Sequence, residues 1–406
     1  MMMKHFVFVA VAMAALVAGT ASCEKMGNKD NPYKSLELST KSREFARAGN
    51  NFAFNFLDRV SAVEEGSFMV SPLSVQFLLG MMLNGARGAT ADEIAGVLGY
   101  GAGEVDAVNE YCQAMLKQLP GLDRKTRLAI ADAFAVKGDF MYQASYREVI
   151  KKYYEAEIFN ISFDGGADQI NKWCSARTNG MIPKIVDMIS RKATVCLLNA
   201  MYFKSEWSVK FPVQNTKVEP FLMASGVAKW MSMMKNEHDF LYQDNDLFRA
   251  VRLPYGNGAF SMTVILPSDG KTLADVTAAL DAESWEAFEQ SMVECQVDLW
   301  LPRFETRYHV GLNSMLSSMG MLSTFTEDAD FSGISKGLYL DEVNQDTVIK
   351  VDEAGTEAAV VSHAGYAMAA LPGELVVFHA DRPFLYLITE KSSGAVLFAG
   401  RYTGEE

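Results

Sequence analysis

The sequence predicts a single large α+β domain, on three observations. Helical periodicity fills the first half of the chain, β-type runs dominate after residue 194, and no linker separates the halves. At 406 residues the chain is long for one ordinary domain, yet no internal repeat divides it. Its 49% hydrophobic and 21% charged residues supply a normal globular core. A formal charge of −13, with no basic run, argues against a nucleic-acid surface.

Residues 1–22 have the form of a secretory signal peptide. Lys4 and His5 precede an apolar stretch over residues 6–18, too short for a comfortable membrane span. The small residues leading into Cys23 resemble a bacterial lipoprotein processing site, with Thr20 where such sites usually carry leucine; plain secretion is the alternative. Residues 23–36 are polar, contain Gly27 and Pro32, and predict a flexible tether; residues 37–406 are then the folded domain.

Residues 51–63 place Phe52, Phe56, Val60 and Val63 on one helical stripe. Ser71-Pro72 opens an apolar helix reaching Leu83, with serine as cap and proline in the first turn. Thr90 and Glu93 have the spacing of a capping box ahead of Ile94, and Gly99 is the stop. Further helices are expected over residues 107–119, 144–155 and 168–178. Strands are expected over 127–136, then 194–203, a near-continuous apolar run suited to a sheet buried on both faces. Residues 248–253 and 259–266 flank Pro254-Tyr255-Gly256-Asn257-Gly258, a hairpin signal. Residues 296–301, 347–353, 375–378, 384–389 and 395–402 complete the strands. Setting Cys23 aside, Cys112, Cys174, Cys196 and Cys295 are far apart in apolar or amphipathic contexts, as expected of buried free thiols.

Residues 348–378 stand apart. A β-like run ends at a glycine, fourteen mostly small residues follow, then a Pro-Gly turn and another β-like run. Taken as a strand, this middle part alternates. Thr356, Ala358, Val360, Ser362, Ala364, Tyr366 and Met368 share one face; Glu357, Ala359, Val361, His363, Gly365, Ala367 and Ala369 share the other. Such a segment suits a loop in one state and a buried central strand in another. An ordinary hairpin strand or an alanine-rich helix are the plainer readings of its composition.

No Gly-x-Ser-x-Gly, His-Glu-x-x-His or phosphate-cradling glycine loop is present, and no Cys-x-x-Cys pair suggests a metal. His238, His309, His363 and His379 have no paired acid or cysteine nearby in sequence. The expectation is a protein that is not an enzyme and carries no cofactor.

Several runs together resemble the serpin family. Asp352-Glu-Ala-Gly-Thr-Glu-Ala-Ala359 is similar to the proximal hinge of the family's reactive-centre loop, and Phe378-His-Ala-Asp-Arg-Pro-Phe384 to the strand after that loop. Leu198-Asn-Ala-Met-Tyr-Phe-Lys-Ser-Glu-Trp207 resembles the strand and turn beneath the insertion point. Ser71-Pro-Leu-Ser74, Asn84-Gly-Ala-Arg-Gly-Ala-Thr90, Pro220-Phe221 and Asp330-Phe-Ser-Gly333 fall in the family's order, so the resemblance spans about residues 51–403. It implies three β-sheets, about nine helices and an exposed reactive-centre loop. It also implies a monomeric, metastable suicide inhibitor of serine or cysteine proteases, which forms a covalent complex and inserts the cleaved loop into the main sheet. Glu353, Gly355, Thr356, Glu357, Ala358 and Ala359 form the hinge that the resemblance implies, and within it the small Thr356, Ala358 and Ala359 suit an inhibitor. The alternative is a non-inhibitory member acting as a surface binding lipoprotein.

The resemblance also carries over single positions. Ser71, Ser74 and Asn171 match a polar cluster that gates sheet opening, the shutter, with Gln345 where the family often has histidine. Trp207 matches the tryptophan of the breach, where insertion begins, and Glu353 and Arg303 an ion pair there. Bulk core for Trp207 and a solvated sheet edge for Arg303 are the plainer readings. The family's loop spacing places the reactive bond between Ala369 and Ala370, with Met368 and Tyr366 in neighbouring subsites. A small apolar residue there implies elastase-like or subtilisin-like targets. Export with a lipid on Cys23 would be the only membrane contact, in the periplasm or at the cell surface.

Overall fold

The computed structural model describes residues 30–101, 103–138, 140–161, 166–178, 180, 182–184, 186, 195–340, 342–356 and 375–405. Helices lead. α1 (Thr40–Val63) is capped by Ser39, whose side chain accepts from the Ser42 amide. After the short β1 (Phe68–Val70) comes α2 (Pro72–Leu83), every residue of which is buried. A helix apolar all round has no solvent face to offer, so α2 lies inside, against α1, β15 and β4. α3 (Gly88–Leu98) stops at Gly99, which takes the left-handed conformation (φ 71°). α4 (Val105–Gln118), β2 (Arg127–Lys137), α5 (Ala144–Tyr154), β3 (Glu157–Ile161) and α6 (Gly166–Arg177) follow.

Strands then dominate: β4 (Val195–Glu206), β5 (Lys217–Leu222), β6 (Ala228–Asp244), β7 (Phe248–Tyr255) and β8 (Phe260–Pro267). α7 (Leu273–Ala279) and α8 (Ala282–Ser291) lead to β9 (Val293–Pro302), β10 (Phe304–Gly311) and α9 (Asn313–Met319). β11 (Glu342–Asp352), β12 (Gly355–Thr356), β13 (Val376–His379), β14 (Phe384–Glu390) and β15 (Val396–Tyr402) end the chain.

One sheet has the order β10-β11-β12-β4-β2-β3. The other runs β1-β15-β14-β8-β7-β6-β9-β13, with β5 beside β6. The 17-residue β6 serves two leaves of this second sheet. Its first part pairs with β5 and β9, its last residues with β7. The plan is therefore three sheets, with nine α-helices among the described residues. The core joins the inner faces of these sheets to α1, α2 and α4, while Ala133, Ala135, Leu198 and Ala200 on the other face of the central sheet pack on α6.

Two local expectations are corrected. Thr90 and Glu93 do not cap α3, which begins at Gly88; both side chains reach residue 323, Glu93 accepting from the Ser323 amide at 2.9 Å. Of the predicted tether, residues 30–36 are strapped to the body. Asn31 Nδ2 donates to Asp123 Oδ1 at 2.6 Å, its Oδ1 accepts from the Arg124 amide at 3.0 Å, and Leu36 is buried. Asn257 Nδ2 holds the Pro32 carbonyl at 3.0 Å. The strap reaches the top of the central sheet, because Thr126 Oγ1 donates to Asp123 Oδ2 at 2.8 Å and lies 2.7 Å from Ser205 Oγ. Replacing Asn31 by Ala should lower stability by about 1–2 kcal/mol, since a buried carboxylate loses a donor. Urea unfolding checks this, and an unchanged midpoint would make the strap energetically idle.

Candidate functional site

The end of β11 folds into a two-residue turn that starts β12. Asp352 sits opposite Gly355, and Asp352 Oδ1 accepts from the Ala354 amide at 2.9 Å and the Gly355 amide at 3.2 Å. Glycine is required at 355 because a Cβ there would lie 2.0 Å from the Ser205 carbonyl oxygen. The turn is gripped from the end of β4. Trp207 donates from its amide to the Ala354 carbonyl and from its indole Nε1 to the Asp352 carbonyl, both at 2.9 Å. The Trp207 ring stacks on Tyr255 (centroids 4.4 Å apart), and the Tyr255 hydroxyl lies 2.6 Å from Thr356 Oγ1. Thr356 is buried, inward-facing, and paired to β11 on one side and β4 on the other.

Glu353, in the same turn, is buried and carries a two-pronged ion pair. Arg303 Nε lies 2.8 and 2.7 Å from its two oxygens, Arg303 Nη2 adds a contact, and Thr216 Oγ1 donates as well. Burial pulls the Glu353 carboxyl upward, but the Arg303 and Thr216 hydrogen bonds outweigh it and hold the group below its ordinary range.

Lower in the same sheet lies a second polar cluster. Ser71, the cap of α2, donates its amide to Gln345 Oε1 at 2.9 Å, and Gln345 Nε2 donates to the Ser71 carbonyl at 3.0 Å and to Ser74 Oγ at 3.1 Å. Ser74 Oγ and Gln345 Nε2 both donate to Asn199 Oδ1, at 2.5 and 3.2 Å, and Asn199 Nδ2 donates to Asp132 Oδ1 at 2.8 Å. An amide serves at 345 because it donates and accepts at once.

Between these clusters the sheet has a gap among the described residues. β4 and β11 pair directly and in parallel only over Glu342–Asp346 and Cys196–Ala200. At the top, β12 fills the space between them. Over residues 347–350 and 201–204 the described partners are the outer neighbours, β10 and β2. No described strand lies between β4 and β11 over these residues.

The hinge residues Glu353, Gly355 and Thr356, together with Trp207 and Arg303, converge on one end of the central sheet. Ser71, Ser74 and Gln345 converge below it. Asn171 does not join them. Its side-chain amide bonds the Val186 backbone, at 2.9 Å as donor and 3.1 Å as acceptor. The asparagine of the cluster is Asn199. The signal for it lay in the sequence: Leu197, Asn199, Met201 and Phe203 alternate toward one core, leaving one polar residue in an inward row. Asp132, opposite Asn199, was also missed. Cys23, Glu357, Ala358, Ala359, Tyr366, Met368, Ala369 and Ala370 lie outside the described residues.

His309 pairs with Asp346 and His379 with Asp298, both at 2.8 Å, the acids standing on the neighbouring strands β11 and β9, far away in sequence. No group of three metal-ligating side chains occurs among the described residues. Cys112 and Cys174 are buried free thiols, and Cys295 is half-buried.

The family model described as "Serpin (serine protease inhibitor)" matches residues 47–404, and the chain belongs to the serpin family. The leukocyte elastase inhibitor of Xenopus laevis is 31% identical over 373 residues, covering 88% of this chain and 98% of that protein. The thermophilic serpin tengpin in its native state superposes with a TM-score of 0.84 at 28% identity, covering 92% of this chain and 96% of that one. Human thyroxine-binding globulin with its ligand has the same fold, with a TM-score of 0.83 at 23% identity over 89% of this chain and 98% of that one. Members of the family are mostly protease inhibitors.

Removing Arg303 leaves Glu353 buried with one side-chain donor fewer. Arg303→Ala should cost about 1–2 kcal/mol at pH 7, a figure kept modest because the arginine is 44% exposed. Because Glu353 is depressed when folded, the pair's contribution is present above the ordinary carboxylate value and is lost as pH falls through the folded value. The gap between the two proteins in urea midpoints should therefore narrow as the pH is taken down below the ordinary carboxylate value. A gap that persists there would assign the effect to packing of the arginine stem.

Proposed function

We propose that the chain is a suicide inhibitor of serine, or cysteine, endopeptidases and not itself an enzyme. The observation that carries this reading is the interval between β4 and β11 that no described strand fills, headed by Gly355 and Thr356 already seated in it. The target's nucleophile attacks the Ala369 carbonyl, and the amine of Ala370 leaves. Before water resolves the acyl-enzyme, the freed loop continues the register that β12 has begun. Extending that register places Ala358 opposite Phe203 and Ile349, and Val360 opposite Met201 and Thr347, all inward-facing. Each further residue adds ladder hydrogen bonds on both sides and buries small apolar groups. In extended form, residues 355–369 span roughly 50 Å, which carries the tethered enzyme away from its docking point.

Specificity follows from the bait. Ala369 offers no cation to an acidic pocket, and residues 357–374 contain neither Lys nor Arg, so elastase-like or subtilisin-like enzymes fit. The protein acts as a monomer, without cofactor and without nucleic acid. We also propose that it is exported and held at a membrane by lipid on Cys23. No helix among the described residues is long and apolar enough to cross a membrane.

Incubation with a panel of serine and cysteine proteases should yield a complex that survives boiling in detergent, with a released fragment beginning at Ala370 by mass spectrometry. Thr356→Arg puts a cation into a buried site whose neighbours are Tyr255 and Ser205, at a cost of several kcal/mol. That variant should be cleaved at the same bond yet trap nothing. Cleavage without trapping by the unaltered protein, across the panel, would move it to the non-inhibitory members that act as surface binding lipoproteins.

Cys23→Ala should move the protein from the membrane fraction to the soluble one. An unchanged distribution would remove the lipid anchor.

A further inference from the structure

The row of side chains that crosses the central sheet at the lower cluster ends in a carboxyl group. Asp132 of β2 stands opposite Asn199 of β4, 3% exposed, on the face turned toward α2. One oxygen accepts from Asn199; the other, Oδ2, is buried without a partner. Asn199 in turn accepts from Ser74 and Gln345, so it links the carboxyl to the junction where β4 and β11 still pair. Among the described residues the ionisable group within electrostatic reach is the Cys112 thiol of α4, to which the Tyr154 hydroxyl of α5 is bonded. Burial pushes both upward, so they are neutral across the physiological range. The neighbours from α2, β4 and β11 are Ser71, Ser74, Asn199 and Gln345, all uncharged. Among the described residues no cation compensates Asp132.

We propose that Asp132 is a proton-operated lock on the central sheet: a protonated carboxyl keeps the β4–β11 junction closed, and an ionised one lets it part. This rests on the insertion reading above. The physical argument is one of solvation. A buried carboxylate with one bare oxygen is costly, and it recovers its hydration when β2 and β4 move off α2 as the sheet opens. Opening therefore releases a proton, and higher pH favours it. Burial lifts the Asp132 carboxyl to about 7, with the Asn199 hydrogen bond only partly opposing, which puts the transition near neutrality. Asp132→Asn keeps an acceptor for Asn199 and removes the titration.

The test uses the full chain and a synthetic peptide of residues 356–369, whose uptake into the sheet is timed from about pH 5.5 to 8.5. The rate for the unaltered protein should rise roughly ten-fold or more across this range, and that for Asp132→Asn by less than about two-fold. His363 of the peptide titrates equally in both arms. Parallel pH profiles in the two proteins would overturn the lock. If neither protein takes up peptide at any pH, the insertion reading falls. The urea midpoints of the same two proteins then decide the role of Asp132. A raised carboxyl binds its proton more tightly in the folded state, so the midpoint of the unaltered protein should fall as pH rises, against a flat line for Asp132→Asn. Two parallel lines would dismiss Asp132 as a titrating group.

Discussion

The interval between β4 and β11, which no strand fills among the described residues, is the constraint on which the rest of this structure depends. A buried backbone donor or acceptor without a partner costs about as much as a lost hydrogen bond, so a sheet normally closes such a space. Here it is kept from closing at the top by a wedge of two residues, Gly355 and Thr356. Below, the strands meet and are stitched by side chains, Gln345 to Asn199 and both to Ser74 of α2. Side-chain stitches are few and break one at a time, whereas a ladder forms cooperatively. On the insertion reading proposed above, the stitched junction is the barrier that a strand supplied from above would cross to reach a lower state.

The floor of that interval explains why small residues suit the hinge. Phe203 lies edge-on to Tyr255 at 5.2 Å and to Phe260 at 5.7 Å, and Trp207 closes the row by stacking on Tyr255. These rings already fill the space under the first inserted positions, so there is room for Thr356 with its hydroxyl on Tyr255, and for an alanine after it, but not for a second layer of bulk. The Arg303–Glu353 pair fixes the turn above this floor, and the strap at residues 30–36 reaches its edge through Asp123, Thr126 and Ser205. Tertiary contacts from four parts of the chain thus converge on one turn.

Much of this was legible in the residues, and the failures have physical causes. The buried α2 showed in its unbroken apolar run, and β4 in a run with too few polar breaks for any surface strand. β5 and the first half of β6 gave no clear signal because their outward face carries Val218, Leu222 and Trp230 in solvent while their inward face is only half covered. Thr90 and Glu93 imitate a cap because the spacing of a capping box is also that of one helical face, and here that face meets residue 323. Residues 30–36 have a tether's composition, since their polar groups bond the body one by one instead of packing as a hydrophobic stripe. The resemblance points to Asn171, but helical position says little about what lies across a sheet, whereas strand alternation through Leu197, Asn199 and Met201 fixes the face.

That same alternation bears on how far an inserting strand can run before it meets resistance. Continued from Gly355 and Thr356, the register puts Glu357 on the outer face between Lys350 of β11 and Lys204 of β4. Lys350 is exposed and Lys204 half-buried, so a carboxylate there gains two cross-strand cations without leaving water. The charge in the hinge is then no obstacle to insertion, because it lies on the solvated side between opposite charges. Inward Ala358 and the β-branched Val360 would follow before position 362, which the register sets between Asn199 and Gln345. A serine stands there, with a hydroxyl that both donates and accepts, in the row where Gln345 Nε2 now reaches Asn199 Oδ1. The strand that would break this stitch thus carries a group able to bond both partners it separates. On the insertion reading, the costly moment is the interval between those two events, when Asn199 and Gln345 would lack their full set of partners beside Asp132, whose Oδ2 already has none.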